Sequence, residues 1–361
     1  MINEVAAAFD REDYREAARL LKQLVKESPE NPTIQLYIGR LHEATGKLEA
    51  AEKVYRQLLR NTTNPKIISP ARQGLKRLED NEKQRRQNAI AQAKADPNNT
   101  QMGVLILEPI ANEAKPEAAK KFAKIMNIDA YKARLLLPSR GWRMYRSGAI
   151  GELQLYSKEL LAAGIPNFCA SLADIKKINI FCVNYFQSVS PQPTVICQND
   201  RGQLGHLTFK WNEVRQIVLA RLPIFEEVVD HDHLKRLLRR VETQDYAQFC
   251  DLHLPERRSI LRIYDRAYNF QQGVDFSSQE EMATNRRNWN RLSSFLNSQL
   301  PQAKVLSDFN SFAETVLELT ELLDRIPSHI NLMRKAESHW DSAFQLYSGL
   351  VFLRYLPKGN N

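Results

Sequence analysis

The chain has 361 residues, of which 43% are hydrophobic and 26% charged, and a net charge of +9. That length holds two or three domains with a substantial core, and the ordinary composition excludes a fibrous or disordered chain. The charge is spread out, at +4 over residues 1–99, +3 over 100–175, +2 over 176–275 and 0 over 276–361, so no segment has the concentrated excess of a dedicated nucleic-acid binder.

The first predicted elements come from an internal echo. Asp13–Leu24 reads against Lys47–Leu58 at a spacing of 34 residues, pairing Tyr14 with Leu48, Ala17 with Ala51, Leu21 with Tyr55 and Leu24 with Leu58. A fixed period of this length predicts stacked helix pairs, because one pair cannot bury its apolar face alone. Ala17, Ala51 and Gly39 stand where helices touch closely, and Gly46 stands at a turn. Pro29 and Asn64-Pro65 follow the second helices, where proline stops further winding. Ile68, Ala71, Leu75 and Leu78 continue at helical spacing, and Asp96-Pro97-Asn98-Asn99 has the look of a third repeat ending. Within that third unit Arg85 falls where a small residue belongs. Residues 79–88 carry no apolar side chain and read as a solvated helix or linker. A stack this short is expected to lean on the rest of the chain or on a partner.

This pattern resembles the tetratricopeptide repeat family. Ala17, Leu24 and Pro29 match in the first unit, and Gly39, Gly46, Ala51, Tyr55 and Leu58 in the second. The resemblance covers residues 1–65 well, within a repeat segment of about 1–99. It implies peptide binding on the concave face of the first helices, where Phe9, Arg40 and Glu43 would lie. One subtype clamps a C-terminal carboxylate with a Lys and Asn pair; here Arg40 and Leu36 occupy those positions. A purely structural stack is the alternative.

Residues 100–176 read as a small α/β module. Val104–Leu107 is a short strand and Glu117–Met126 a helix with Ala118, Phe122 and Ile125 on one face. Asp129 caps a further helix carrying Tyr131, Ala133 and Leu135–Leu137. Trp142–Arg146 alternates like a strand. Glu152–Ala163 is a helix ended by Gly164, and Ile165–Leu172 a last strand. The order β-α-α-β-α-β resembles the ribosomal L7/L12 C-terminal domain and the ClpS adaptor. Tyr131–Leu137, Gly141–Gly148 and Lys158–Gly164 carry the likeness, which implies protein docking. Arg140, Arg143 and Arg146 surround Trp142 and Tyr145. Such a set either contacts phosphate and stacks a base, or forms a solvated rim around a core of Trp142 and Met144. On a regular strand residues 142, 144 and 146 share one face.

Over 177–275 the chain predicts strands at Ile178–Phe186, Thr194–Gln198, Leu204–Trp211, Glu213–Leu222, Phe249–Leu254 and Ser259–Tyr264, with Asp200-Arg201-Gly202 as a turn. A small barrel or sandwich is expected, of the kind used in phosphoinositide-type or protein-binding modules. His231-Asp232-His233 and Cys250–His253 offer metal-ligand residue types, but no zinc spacing, and no metal is assigned. Asp232 instead suits the N-cap of a helix carrying Lys235, Arg236, Arg239 and Arg240. That basic run is a solvated face, or alternatively an anion or RNA contact. From Gln279 to the end, in a segment of 276–361, helices are expected. Trp340, Phe344, Tyr347, Val351 and Tyr355 form one stripe, expected to pack on the β-rich module, with homo-oligomer formation through these helices as the alternative.

Known phosphate-loop, dinucleotide, zinc-protease and serine-nucleophile motifs are missing, so no catalytic residue and no cofactor is assigned. Met1–Val5 does not read as a secretory signal and no apolar run approaches a membrane span. The widely spaced Cys169, Cys182, Cys197 and Cys250 read as reduced thiols, which suits the cytoplasm. The expected whole is a multidomain α+β protein. Its expected role is that of a non-catalytic adaptor or scaffold for protein partners. The alternative is a sensor of an anionic ligand, a nucleotide second messenger or RNA.

Overall fold

The computed structural model describes residues 1–231, 237–276, 284–332 and 338–356, with backbone alone at 94, 98, 227–231 and 238–241. The chain divides into two compact units, residues 1–92 and 93–361.

The first unit is built from helices α1 (Ile2–Asp10), α2 (Tyr14–Glu27), α3 (Pro32–Ala44), α4 (Leu48–Asn61) and the start of α5 (Pro65–Ala95). Their starts are set locally. The Asp13 side chain accepts the Glu16 amide at 3.0 Å and Asn31 accepts that of Thr33 at 2.9 Å, with Pro32 in the first turn. The small residues of the echo, Ala17 and Ala51, are fully buried, as is Tyr55. The third repeat departs from expectation. Residues 65–95 form one continuous helix in place of a hairpin, because the stretch 79–88 has no apolar side chain to bury by turning back. Ile67, Ala71 and Leu78 of α5 pack with Leu36, Ala51, Tyr55 and Leu58.

Tyr55 is the wedge of this unit. A Cβ placed on Gly39 of α3 would fall 2.5 Å from its ring, and one on Gly74 of α5 would fall equally close to the opposite edge. The ring has nowhere to move. Gly39→Ala and Gly74→Ala are each expected to destabilise the unit by about 1–3 kcal/mol through overpacking, read as a downshifted far-UV circular dichroism transition. All four tryptophans lie beyond residue 92, so the tryptophan-fluorescence transition serves as an internal control and is expected to stay in place.

The second unit opens with β1 (Met102–Leu107), α6 (Lys115–Met126), α7 (Ala130–Leu136), β2 (Arg143–Ala149), α8 (Ile150–Ala162), β3 (Asn167–Ser171) and α9 (Leu172–Lys176). The three strands form an antiparallel sheet in the order β2-β1-β3. β1 is an unbroken apolar run because both its faces are covered. Leu105 and Leu107 pack with Phe122, Leu153 and Leu160, while Val104 and Ile106 enter a second core. The pairing of β1 with β2 shifts register beside Leu105, so that Leu105 faces Arg146 and Ile106 faces Met144. This bulge removes Arg146 from the Met144 face, contrary to the regular alternation expected.

Next come β4 (Asn179–Ser188), β5 (Thr194–Gln198), β6 (Leu204–Thr208), β7 (Gln216–His231), β8 (Leu237–Leu254) and β9 (Ser259–Tyr264). Then follow α10 (Asn285–Gln299), β10 (Lys304–Leu306), α11 (Phe309–Ala313), α12 (Thr320–Leu323) and α13 (His339–Arg354). The strands make one open sheet in the order β10-β7-β8-β9-β4-β5-β6, in place of the barrel or sandwich expected. It is mixed, since β10 runs parallel to β7 and β4 parallel to β9. Trp289, Leu292 and Leu296 of α10 pack with Ile217, Cys250, Leu252 and Ile263 on one face. Helix α13 serves the other face. Phe344 lies 5.3 Å from Phe249, Tyr347 lies 5.9 Å from Trp142, and residues 343–352 are buried throughout. The expected stripe is therefore consumed inside the chain. It is not open to a second copy, as oligomerisation through these helices requires. The segments 100–176, 177–275 and 276–361 share the core in which Trp142, Phe249, Phe312 and Tyr347 meet. No helix among the described residues is long and apolar enough to cross a membrane.

Candidate functional site

An open groove of about 830 Å³ runs along the first unit, between residues of α1, α3 and α5. Phe9 supplies its aromatic floor, its ring 5.5 Å from that of Tyr37 and 5.9 Å from that of Tyr14. The Arg40 guanidinium lies 5.0 Å above the Phe9 ring and 5.6 Å from Tyr37. Stacking of this kind orients a cation without neutralising it. Arg40 is exposed and, among the described residues, has no carboxylate within ion-pair distance. Leu36, at the other clamp position, is buried and brings no amide.

Glu43 lines the same groove but is already engaged. It accepts the Tyr55 hydroxyl at 2.7 Å and two Arg77 N–H groups, from Nε at 2.7 Å and from Nη2 at 2.9 Å. Burial presses its carboxyl upward, yet the Arg77 and Tyr55 hydrogen bonds outweigh that and hold it below the usual range. Burial and the same contact push the Tyr55 phenol upward. Glu43 thus fixes α3 against α4 and α5. Arg77 escaped sequence reasoning. Its signal was its place 34 residues after Glu43, one repeat period later.

Among the described residues the predicted basic positions stand on different elements. Arg140 is exposed, and Arg143 Nη1 reaches the Leu135 carbonyl at 3.5 Å. Arg146 lies 5.3 Å over the Tyr156 ring and 3.9 Å from Glu152. Trp142 is buried, 4.9 Å from Phe168. Lys235 and Arg236 lie outside the described residues, as do Asp232 and His233. Arg239 and Arg240 belong to β8, opposite Val229 and Val228, and not to the helix expected after Asp232. Arg143 and Arg146 stand on the smaller sheet, Arg239 and Arg240 on the larger. Cys250 and His253 sit three residues apart on β8 and so face opposite sides of the sheet. Among the described residues no three metal-ligating side chains gather.

A buried polar cluster connects the larger sheet to α13. Arg262 Nε and Nη2 bond Asp251 Oδ1 and Oδ2 at 3.0 and 2.7 Å, and Nη1 bonds the Ser328 carbonyl at 2.7 Å. Ser348 donates to Asp251 Oδ2 at 2.6 Å, which spends its only proton. His253 Nε2, 3.0 Å from Ser348 Oγ, must therefore be the donor there. Nδ1 is left as a buried acceptor without a partner among the described residues. Serine, histidine and aspartate meet here, but the hydroxyl proton points at the carboxylate and the imidazole cannot accept it. Arg262, Asp251, His253 and Ser348 are all fully buried. This is a structural pin and not a nucleophile. The sequence signal was the i, i+2 spacing of Asp251 and His253 on one strand face.

Burial lowers the His253 imidazole from 6.5 to about 4. Above pH 6.5 the residue is neutral whether folded or unfolded. Between 6.5 and 4 the unfolded chain binds the extra proton, so stability falls as pH falls, by about 3 kcal/mol over the window. Denaturant midpoints measured from pH 7.5 to 4 should show this loss, and His253→Gln should flatten its slope.

Residues 3–64 match the tetratricopeptide repeat family, a span that takes in α1 to α4 and stops before α5. No curated protein and no solved structure matches the chain. The N-terminal helical repeats therefore point to a protein-interaction scaffold, followed by a β-rich region with C-terminal helices.

Proposed function

We propose that the protein is a non-catalytic adaptor whose first unit receives a peptide segment of a partner. Arg40 accepts the segment's carboxylate, from an acidic side chain or a C-terminus. One observation carries this reading: Arg40 is exposed and held on the Phe9 and Tyr37 rings without an acidic partner among the described residues, inside an open groove. A guanidinium so placed matches a carboxylate in geometry and charge. The β1–β3 module, with its likeness of pattern to the L7/L12 C-terminal and ClpS folds, is a second docking element in this reading, and a cytoplasmic location suits the free thiols. The anionic-ligand alternative through Arg140, Arg143 and Arg146 is weaker, because Glu152 stands beside Arg146 and Trp142 is spent in the core.

The test uses the full chain on arrays of short peptides with free or amidated C-termini. Peptides carrying a carboxylate are expected to bind, and Arg40→Ala is expected to weaken them about tenfold, equivalent to about 1.4 kcal/mol. Binding indifferent to Arg40→Ala contradicts the proposal. RNA retained through Arg143 and Arg146 selects the alternative.

A further inference from the structure

Strand β10 pairs with β7 only over Gln216–Val218, and the chain then crosses the sheet edge at Ser307 to begin α11, whose Phe309 and Phe312 join the core on the α13 side. Past Val218, among the described residues, no strand lies beside the outer edge of β7. Lys304 N bonds the Arg215 carbonyl, so the odd-numbered residues of β7 turn their backbone groups to this edge. The N–H and carbonyl of Arg221 therefore lie beyond the end of β10. Helix α10 continues over this stretch, and a cavity of about 470 Å³ opens between it, β7 and β8.

The floor of the cavity is apolar. Ile217 and Leu219 of β7 meet Trp289 and Leu296 of α10, and Ile217, Trp289 and Leu296 are buried. The wall is polar. Ile217, Leu219 and Arg221 alternate onto one face of β7, and Gln248 of β8 stands directly opposite Arg221. Asn290 and Asn297 are two turns apart along the flank of α10, and Asn310 closes the side where the chain crosses the edge. None of the side chains of Arg221, Gln248, Asn290, Asn297 and Asn310 has a hydrogen-bond partner among the described residues. Arg221 is the one charged side chain among the described lining residues, and no acid stands among them to neutralise it.

We propose that this cavity binds a small-molecule monocarboxylate with an apolar body. The guanidinium of Arg221 takes the carboxylate, which it matches in both geometry and charge. The apolar body rests on Ile217, Leu219, Trp289 and Leu296, where burying it gives the driving force. The amides of Gln248, Asn290 and Asn297 each carry donors and an acceptor, so they serve hydroxyl or carbonyl substituents of either polarity. A single cation suits a single negative charge; the second charge of a phosphate ester would find no partner in the wall. The volume lies within the roughly 300–1,000 Å³ of small-molecule sites, which share this plan of apolar lining with a few convergent polar groups. The site belongs to the second unit and uses no residue of the Arg40 groove.

The experiment is calorimetric titration of the full chain with 1-naphthaleneacetate and with octanoate, each beside its carboxamide, and with 1-naphthyl phosphate. At least one of the two acids is expected to bind, with its carboxamide about tenfold weaker or more, since it loses a charged hydrogen bond. Arg221→Gln, at an exposed position where it leaves the fold intact, is expected to weaken that acid about tenfold. Ser293 faces the cavity from α10; Ser293→Trp is expected to fill the space and abolish binding, while Ser293→Ala preserves it. Arg40→Ala is expected to leave the affinity unchanged, which separates this site from the groove of the first unit. The proposal is overturned if neither acid binds, or if the carboxamide or the phosphate binds as tightly as the acid. It is equally overturned if Arg221→Gln has no effect, if binding survives in a folded Ser293→Trp chain, or if Arg40→Ala removes it.

Discussion

The groove exists because one phenol ring is held between two glycines. Tyr55 fills the space that a Cβ on Gly39 or Gly74 would take, so α3, α4 and α5 approach at a spacing set by the thickness of that ring. Its hydroxyl then reaches Glu43, and Glu43 holds Arg77 bidentately. Packing positions the acid, and the acid ties the third helix to the first two. The bidentate, charge-assisted geometry makes this contact stronger than a single surface ion pair, with Glu43 largely shielded and Arg77 half exposed. Arg40, one turn before Glu43 on α3, is stacked on its aromatic floor, and its charge also favours the Glu43 carboxylate.

The second unit follows a different plan. Its two sheets are not separate modules but share one core, with α13 packed against both through Tyr347 and Phe344. The Arg262, Asp251, Ser348 and His253 cluster lies where that helix crosses the larger sheet. Buried ion pairs of this sort contribute little net stability but strongly disfavour misplacement, since each partner left alone in the core is costly. The cluster thus sets the registry of α13 on β8 and β9.

Much of the first unit was legible because a repeat displays itself twice: Ala17 with Ala51, Leu24 with Leu58. The third repeat was not, because one long helix keeps the apolar period through Leu78 while losing the turn. The order β-α-α-β-α-β could be read along residues 100–176, since each element there carries its own periodicity. The bulge beside Leu105 could not, and it reversed the placing of Arg146. Leu237–Arg240 is composed of good helix formers, yet pairing with Val228–His231 draws it into a strand. Local preference was overridden by a partner only a few residues away in sequence. The stripe at Phe344, Tyr347 and Val351 was visible, but Leu346, Leu350 and Phe352 on the other sides show that the helix is enclosed. Arg262 pairs with Asp251 across the β8–β9 hairpin, a register that residue spacing alone did not fix, and its link to α13 runs through Ser348, far away in sequence.

The central claim is that Tyr55, Glu43 and Arg77 act as one unit in shaping the groove. A double-mutant cycle on folding stability between Tyr55→Phe and Arg77→Met tests it directly, because the two side chains communicate through Glu43. The account predicts a coupling of about 1 kcal/mol. Additivity to within about 0.3 kcal/mol would contradict it.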